Sequence, residues 1–184
     1  MEQLKCKQSK LPKSKYIEIS KYFKKALKIK YEYWNNFELQ YKDIHPLIYA
    51  EEYLVNSNSS YNIAEHEVYC FNGKPEIIRT ILTCTNECGE YYKAYNYDTN
   101  FEPSEYKIFF GTEYNNNDFK SANKDYILNY SKILSKDFNF VRVDYLEVNN
   151  QLYFSEMTFT PYSGFIEFIP EEYDLILGEK LDLK

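Results

Sequence analysis

Apolar positions in this chain of 184 residues repeat with two periods, and the two alternate along its length. Over 16–34, Ile19, Phe23, Ala26 or Leu27 and Tyr31 recur every three or four positions, with Lys21, Lys24, Lys25 and Lys28 between them. That pattern predicts an amphipathic helix, read as a surface helix laying its stripe on a sheet, with a basic membrane-surface helix as the alternative. Residues 47–54 read as a strand that runs into a polar loop, 56–62. The runs 67–71 and 75–83 flank Asn72-Gly73, a strong hairpin signal. Residues 91–97 read as a further strand and 101–117 as a long aromatic loop with an acceptor-side or packing role. Residues 121–136 read as a helix burying Tyr126, Ile127, Tyr130, Ile133 and Leu134. A second hairpin spans 140–159 around Asn149-Asn150, and Pro170-Glu171-Glu172 opens a last helix, its acids suiting the helix dipole. The pattern as a whole predicts an α+β fold, an antiparallel sheet with flanking helices.

The second hairpin, FVRVDYLEVNNQLYFSEMTFTPYSGF with its following loop, organises the rest. Successive strand side chains point to opposite faces, so Arg142 and Asp144 share one face and Val141 and Val143 the other. A strict two-residue turn pairs 148 with 151, faces 143 with 156, and puts Asp144 and Glu156 on opposite sides. A three-residue loop or one bulge instead gathers Arg142, Asp144, Glu156 and Thr158. The second arrangement is expected, because Val141, Val143, Met157 and Phe159 make a core face on which a carboxylate would be costly. Such a cluster is either a solvated face with an Arg–Asp tie or a pair of hard oxygen ligands for Mg²⁺. Magnesium usually takes one or two protein carboxylates, with water and phosphate completing its shell; an adjacent Arg would then face phosphate.

Composition narrows the field. A net charge of −6 with a pI near 5.1 argues against nucleic acid as the main partner. The 22 basic residues are 20 Lys with only Arg79 and Arg142, which makes an Arg in the central hairpin conspicuous. No apolar run reaches the length of a membrane span and no apolar signal core follows the start, so a cytoplasmic protein is expected. One domain is expected at this length. Cys84 and Cys88 have the spacing of half a zinc site without a second half; reduced thiols beside a hairpin turn are the favoured reading.

Arg-Val-Asp, a turn, an apolar strand ending Glu-x-hydroxyl and a Pro-x-Ser-Gly loop resemble the metal-binding hairpin of ATP-grasp proteins, and CFNGKP with SEMTFTPYSGF is similar to the TupA-like members of that superfamily. The resemblance extends over most of the chain, through the segments beginning YFKKALKIKY, VYCFNGKPEII, SKDFNFVRVD and PEEYDLILGEKL. It implies the C-terminal part of an ATP-grasp fold, with a helix at 16–34 leading into an adenine-side strand at 47–54. Backbone groups around Glu51, Glu52, Tyr53 and Leu54 would read adenine, and Glu65 would accept from the ribose hydroxyls. Mg²⁺ would fall to Asp144, Glu156 and Thr158, the transferring phosphoryl group to Arg142, and the acyl substrate to Ser163 and Gly164. Relatives tend to have Lys where this chain has Glu67.

The resemblance also implies, ahead of the first helix, an N-terminal subdomain and a Gly-rich phosphate strand. The first glycine here is Gly73, so that loop is expected outside this polypeptide. Three functions follow. One is an ATP- and Mg²⁺-dependent carboxylate–amine ligase of cell-surface polysaccharide biosynthesis, teichuronopeptide or capsule, acting through an acyl phosphate. Another is a split or degenerate subunit that binds or scaffolds, partnered by a polypeptide supplying the missing half. The third is a glycosyltransferase holding a nucleotide sugar through a metal.

Overall fold

The two Asn-containing hairpin turns use residues that accept the left-handed backbone region: Asn72 and Gly73 have φ of 49° and 75°, Asn149 and Asn150 of 52° and 60°. Two-residue hairpin turns of type I′ require this at both central positions, and their twist matches that of the flanking strands. The computed structural model describes residues 12–29, 38–57, 60–109, 113–114 and 119–182. Along the chain these form α1 (Lys13–Ala26), β1 (Ile63–Phe71), β2 (Lys74–Asn86), β3 (Gly89–Tyr97), β4 (Lys107–Phe109), β5 (Glu113–Tyr114), α2 (Lys124–Ser135), β6 (Phe140–Val148), β7 (Gln151–Thr158), β8 (Glu167–Ile169) and α3 (Glu172–Gly178).

The chain divides into two units, Met1–Leu54 and Val55–Lys184. In the first, α1 covers the start of the expected 16–34 helix; its end, from 30 onward, lies outside the described residues. No residue of α1 is buried, although Ile19, Phe23 and Ala26 are half-covered. The strand expected at 47–54 does not form. Pro46 precedes it, no strand among the described residues pairs with it, and Leu47 and Tyr49 are exposed. A β-prone run without a ladder partner leaves its backbone to water and stays irregular.

The second unit holds a six-stranded sheet, β5-β3-β2-β1-β6-β7, antiparallel except for the short β3–β5 edge. One face carries Ala64, Val68, Cys70, Ile78, Leu82, Val141, Val143 and Tyr145, with Met157 and Phe159 packed beside them as the period-2 pattern requires. Helix α2 contacts β1, β2 and β6. The stripe expected on it is partly overturned: Ile127 is buried, but Tyr126, Tyr130 and Ile133 are 59%, 49% and 61% exposed. Ser131 and Ser135 are buried instead. Small residues let the helix approach closely, and Ser131 hydrogen-bonds Tyr145 at 3.1 Å.

The loop expected at 101–117 contains β4 and β5. Strand β4 pairs with β8 as a second, two-stranded sheet. Ile108 of this small sheet and Leu177 of α3 join Tyr69, Phe71 and Ile77 from the opposite face of the large sheet in a second core. Cys84 is a buried free thiol, and Cys88 is exposed in the β2–β3 turn.

Two β-bulges set the faces. In the first hairpin Phe71 pairs with Lys74 and Cys70 with Pro75, but Tyr69 pairs with Ile77, leaving Glu76 as the extra residue. In the second, Val148 pairs with Gln151 across a two-residue turn, yet Asp144 pairs with Glu156 because Ser155 is the extra residue. The expected gathering of residues 142, 144, 156 and 158 is thus reached by a bulge rather than by a longer loop.

The strain at the second turn gives a stability test. Replacing Asn150 by Gly keeps its backbone carbonyl, which accepts from Asn123 Nδ2 at 3.1 Å, and should leave stability unchanged or raised by up to about 1 kcal/mol. Asn150→Val should cost about 1–3 kcal/mol in urea unfolding, since a β-branched residue resists positive φ.

Candidate functional site

The two bulges align one polar row across four strands. Arg79 on β2 faces Glu67 on β1, Glu67 faces Asp144 on β6, and Asp144 faces Glu156 on β7. The neighbouring row runs Ile77, Tyr69, Arg142, Thr158. Three carboxylates lie side by side in the first row, a repulsive order. The second row supplies Arg142 to offset it.

Arg142 grips Asp144 from the side: Nε donates to Oδ1 at 2.8 Å, and Nη2 donates to Oδ2 at 2.6 Å. Its Nη2 also lies 3.3 Å from Thr158 Oγ1 and 3.6 Å from Glu156 Oε1. Its Nη1 lies 3.4 Å from Glu67 Oε1. Glu67 is the hub. Its Oε2 accepts from Arg79 Nη1 at 3.0 Å and from the Tyr69 hydroxyl at 3.2 Å, and its Oε1 from the Tyr162 hydroxyl at 3.4 Å. Arg79, Arg142, Glu67 and Asp144 are all buried, whereas Glu156 is 48% exposed and opens the row to solvent.

These surroundings perturb Asp144 and several of its neighbours. Desolvation pushes the Asp144 carboxyl up to about 7, with Glu67 and Glu65 adding to the rise and the Arg142 hydrogen bonds opposing it. Burial works against the Arg142 charge, but the hydrogen bond and field of Asp144 and the field of Glu67 prevail and hold it above the ordinary arginine value. Glu65 is raised by desolvation first and by Glu67 next. Desolvation and Glu67 likewise raise the Tyr162 phenol, against both arginines.

Tyr162 comes from the Pro161–Gly164 turn that follows β7. Tyr162 and Ser163 both take positive φ, 52° and 58°, and Gly164 follows at 82°. Two successive non-glycine residues in that region store on the order of 1 kcal/mol or more each, and such strain gathers at functional sites. The loop is held by its tyrosine. Arg79 Nη1 donates to the Tyr162 hydroxyl at 2.9 Å, and the Arg142 guanidinium carbon lies 5.8 Å from the ring centroid.

Of the residues singled out from sequence, Arg142, Asp144, Glu156 and Thr158 stand together, and Glu65 lies on the same face within electrostatic reach of Arg142, Glu67 and Glu156. Ser163 is half-buried and Gly164 exposed in the turn that Tyr162 anchors. Glu51, Glu52, Tyr53 and Leu54 fall in the other unit, in the irregular stretch. Arg79, Tyr69 and Tyr162 are not among the residues that the sequence singles out for a role, and Glu67 stands out there only as a departure from the relatives' Lys. One signal was available: both arginines of a lysine-rich chain belong to this network.

These side chains offer hard oxygen donors of the kind a divalent cation takes. Four carboxylates (Glu65, Glu67, Asp144, Glu156) against two guanidiniums leave two formal negative charges, and Asp144, Glu156 and Thr158 already converge on one cation, the Arg142 guanidinium. Among the described residues no three or more His, Cys, Asp and Glu side chains group as a metal site. A site for Mg²⁺ would thus need water and phosphate as further ligands.

The sequence model for TupA-like ATPgrasp proteins matches residues 5–182, nearly the whole chain. The chain belongs to the TupA-like ATP-grasp family. Proteins of this kind generally use ATP and Mg²⁺, and the α+β architecture with its antiparallel sheet agrees with that membership. No curated protein and no solved structure matches it. No described helix is long and apolar enough to cross a membrane.

Asp144 gives this cluster a pH signature. Its folded-state pKa is raised, so between the ordinary aspartate value and about 7 the folded protein binds more protons than the unfolded chain. Its contribution to stability therefore falls as pH rises through that window. Urea midpoints of wild type should decline between about pH 5 and 7 more steeply than those of Asp144→Asn, in which this contribution is gone. Parallel profiles would show that Asp144 ionises normally.

Proposed function

We propose that this chain carries the nucleotide- and metal-facing part of an ATP-dependent carboxylate–amine ligase that works in cell-surface polysaccharide biosynthesis on the cytoplasmic side. The observation that carries the reading is the convergence of Asp144, Glu156 and Thr158 on the buried Arg142 guanidinium, in a chain of the ATP-grasp family. Those three residues would hold Mg²⁺, which when bound supplies charge neutralisation for the nucleotide phosphates.

This chain's own groups have distinct tasks. Arg142 stays protonated and would turn part of its five-donor fork toward the phosphoryl group that moves from ATP to the substrate carboxylate. Glu67 holds that guanidinium through Nη1, which limits how far it has to reorganise to meet developing charge. Ser163 and Gly164 would orient the acid, whose acyl phosphate is then attacked by an amine. Glu65 would accept from the ribose hydroxyls. The net negative face admits nucleotide as its metal complex rather than as a bare anion.

Calorimetric titration of ATP into the purified chain, with and without Mg²⁺, tests this. Binding should need Mg²⁺ and weaken at least about tenfold in Asp144→Asn and in Glu156→Gln, the loss expected for a charged ligand contact. Heat-silent titration of a folded wild-type protein would instead point to a scaffold or binding subunit and remove the ligase reading.

A further inference from the structure

The two arginines, the acyl-side turn and the hub carboxylate meet at one side chain, Tyr162. Its hydroxyl accepts from Arg79 Nη1 at 2.9 Å and donates to Glu67 Oε1 at 3.4 Å. Its ring packs against the Arg142 guanidinium at 5.8 Å. Its backbone, at φ 52°, begins a run of three left-handed residues that includes Ser163 and Gly164. A phenol that only filled space would not need positive φ, nor a hydroxyl placed between a buried guanidinium and a buried carboxylate.

We propose that Tyr162 is a positioning residue: it fixes the loop Thr160–Phe165 and Arg142 in one relation, so that the substrate acid and the transferring phosphoryl group meet at a set distance. This rests on the ligase reading for its use, but the brace exists in the free protein. The mechanism is geometric. Arg79, itself buried and paired with Glu67 at 3.0 Å, is an anchor in the sheet floor. The tyrosine hydroxyl ties the turn to that floor, and its ring then limits how far Arg142 can swing. Loop and arginine would move together or not at all. The residue acts through Arg142, not on the substrate.

Two arginines in the whole chain make a clean probe. Protein labelled with ¹⁵N-arginine should give two Nε–Hε cross-peaks, assigned by Arg79→Lys. In wild type both should be sharp, and Arg142, whose Nε donates to Asp144, slow to exchange. Tyr162→Phe keeps the ring; it should move both cross-peaks and weaken Mg·ATP binding about tenfold, the value of one hydrogen bond to a charged group, while the lost internal bond lowers the melting temperature by a few degrees. Tyr162→Leu, lacking the ring, should also speed Arg142 Nε–Hε exchange about tenfold by the same measure. Unchanged Arg142 shift and exchange in both folded variants would overturn the brace. If wild-type Arg142 did not respond to Mg·ATP, the ligase reading would fail while the free-protein spectra still decided the brace.

Discussion

Burying two guanidiniums in a sheet this small imposes the governing constraint. Each must leave water, and an unpaired buried charge costs several kcal/mol, so a buried carboxylate has to meet it with good geometry. Glu67 does this for Arg79, Asp144 does it for Arg142, and Glu67 reaches both. Everything else on that face follows. The strands must register so that the acids face the bases, the turn after β7 must bring Tyr162 over them, and one end of the row must open to solvent at Glu156 if a ligand is to arrive.

The opposite face shows the same principle with smaller stakes. His66 is fully buried there, with Nδ1 2.9 Å from Thr80 Oγ1 and Nε2 3.4 Å from Glu147 Oε2. Burial works against the Glu147 charge, yet hydrogen bonds from His66, Ser121 and Asn123 outweigh it and keep that carboxyl below the ordinary range. The apolar residues around this pair bury against α2, and the second core under the small sheet closes the far end of the polar face. The candidate site is therefore a part of the sheet where carboxylates outnumber the guanidiniums, with packed cores beside it.

Much of this was legible from the chain. Asn72-Gly73 and Asn149-Asn150 declare their turns because few residues accept positive φ, and alternation around Val141 and Val143 declares the core face. Arg142, Asp144, Glu156 and Thr158 could be placed together on the argument that a carboxylate would not sit among valines. The helix at 124–135 was visible but its orientation was not: Tyr126 and Ile127 are both apolar, and only the close approach that Ser131 and Ser135 permit tells which side turns inward. The run at 47–54 has strand composition, but a strand is a property of pairs, and its own residues do not supply a partner.

What the sequence by itself determined is the set of turns, the alternation of each strand and the need to pair two lone arginines with acids. What only the tertiary structure decided is parity. Without an extra residue at Glu76, the turn at Asn72-Gly73 would set Glu67 opposite Ile78 and send Arg79 to the apolar face; without one at Ser155, Asp144 would lose Glu156 as its neighbour. A bulge leaves no mark in local propensity. It is selected by the energy of the assembled sheet, in which one inserted residue spares a buried charge from facing hydrocarbon.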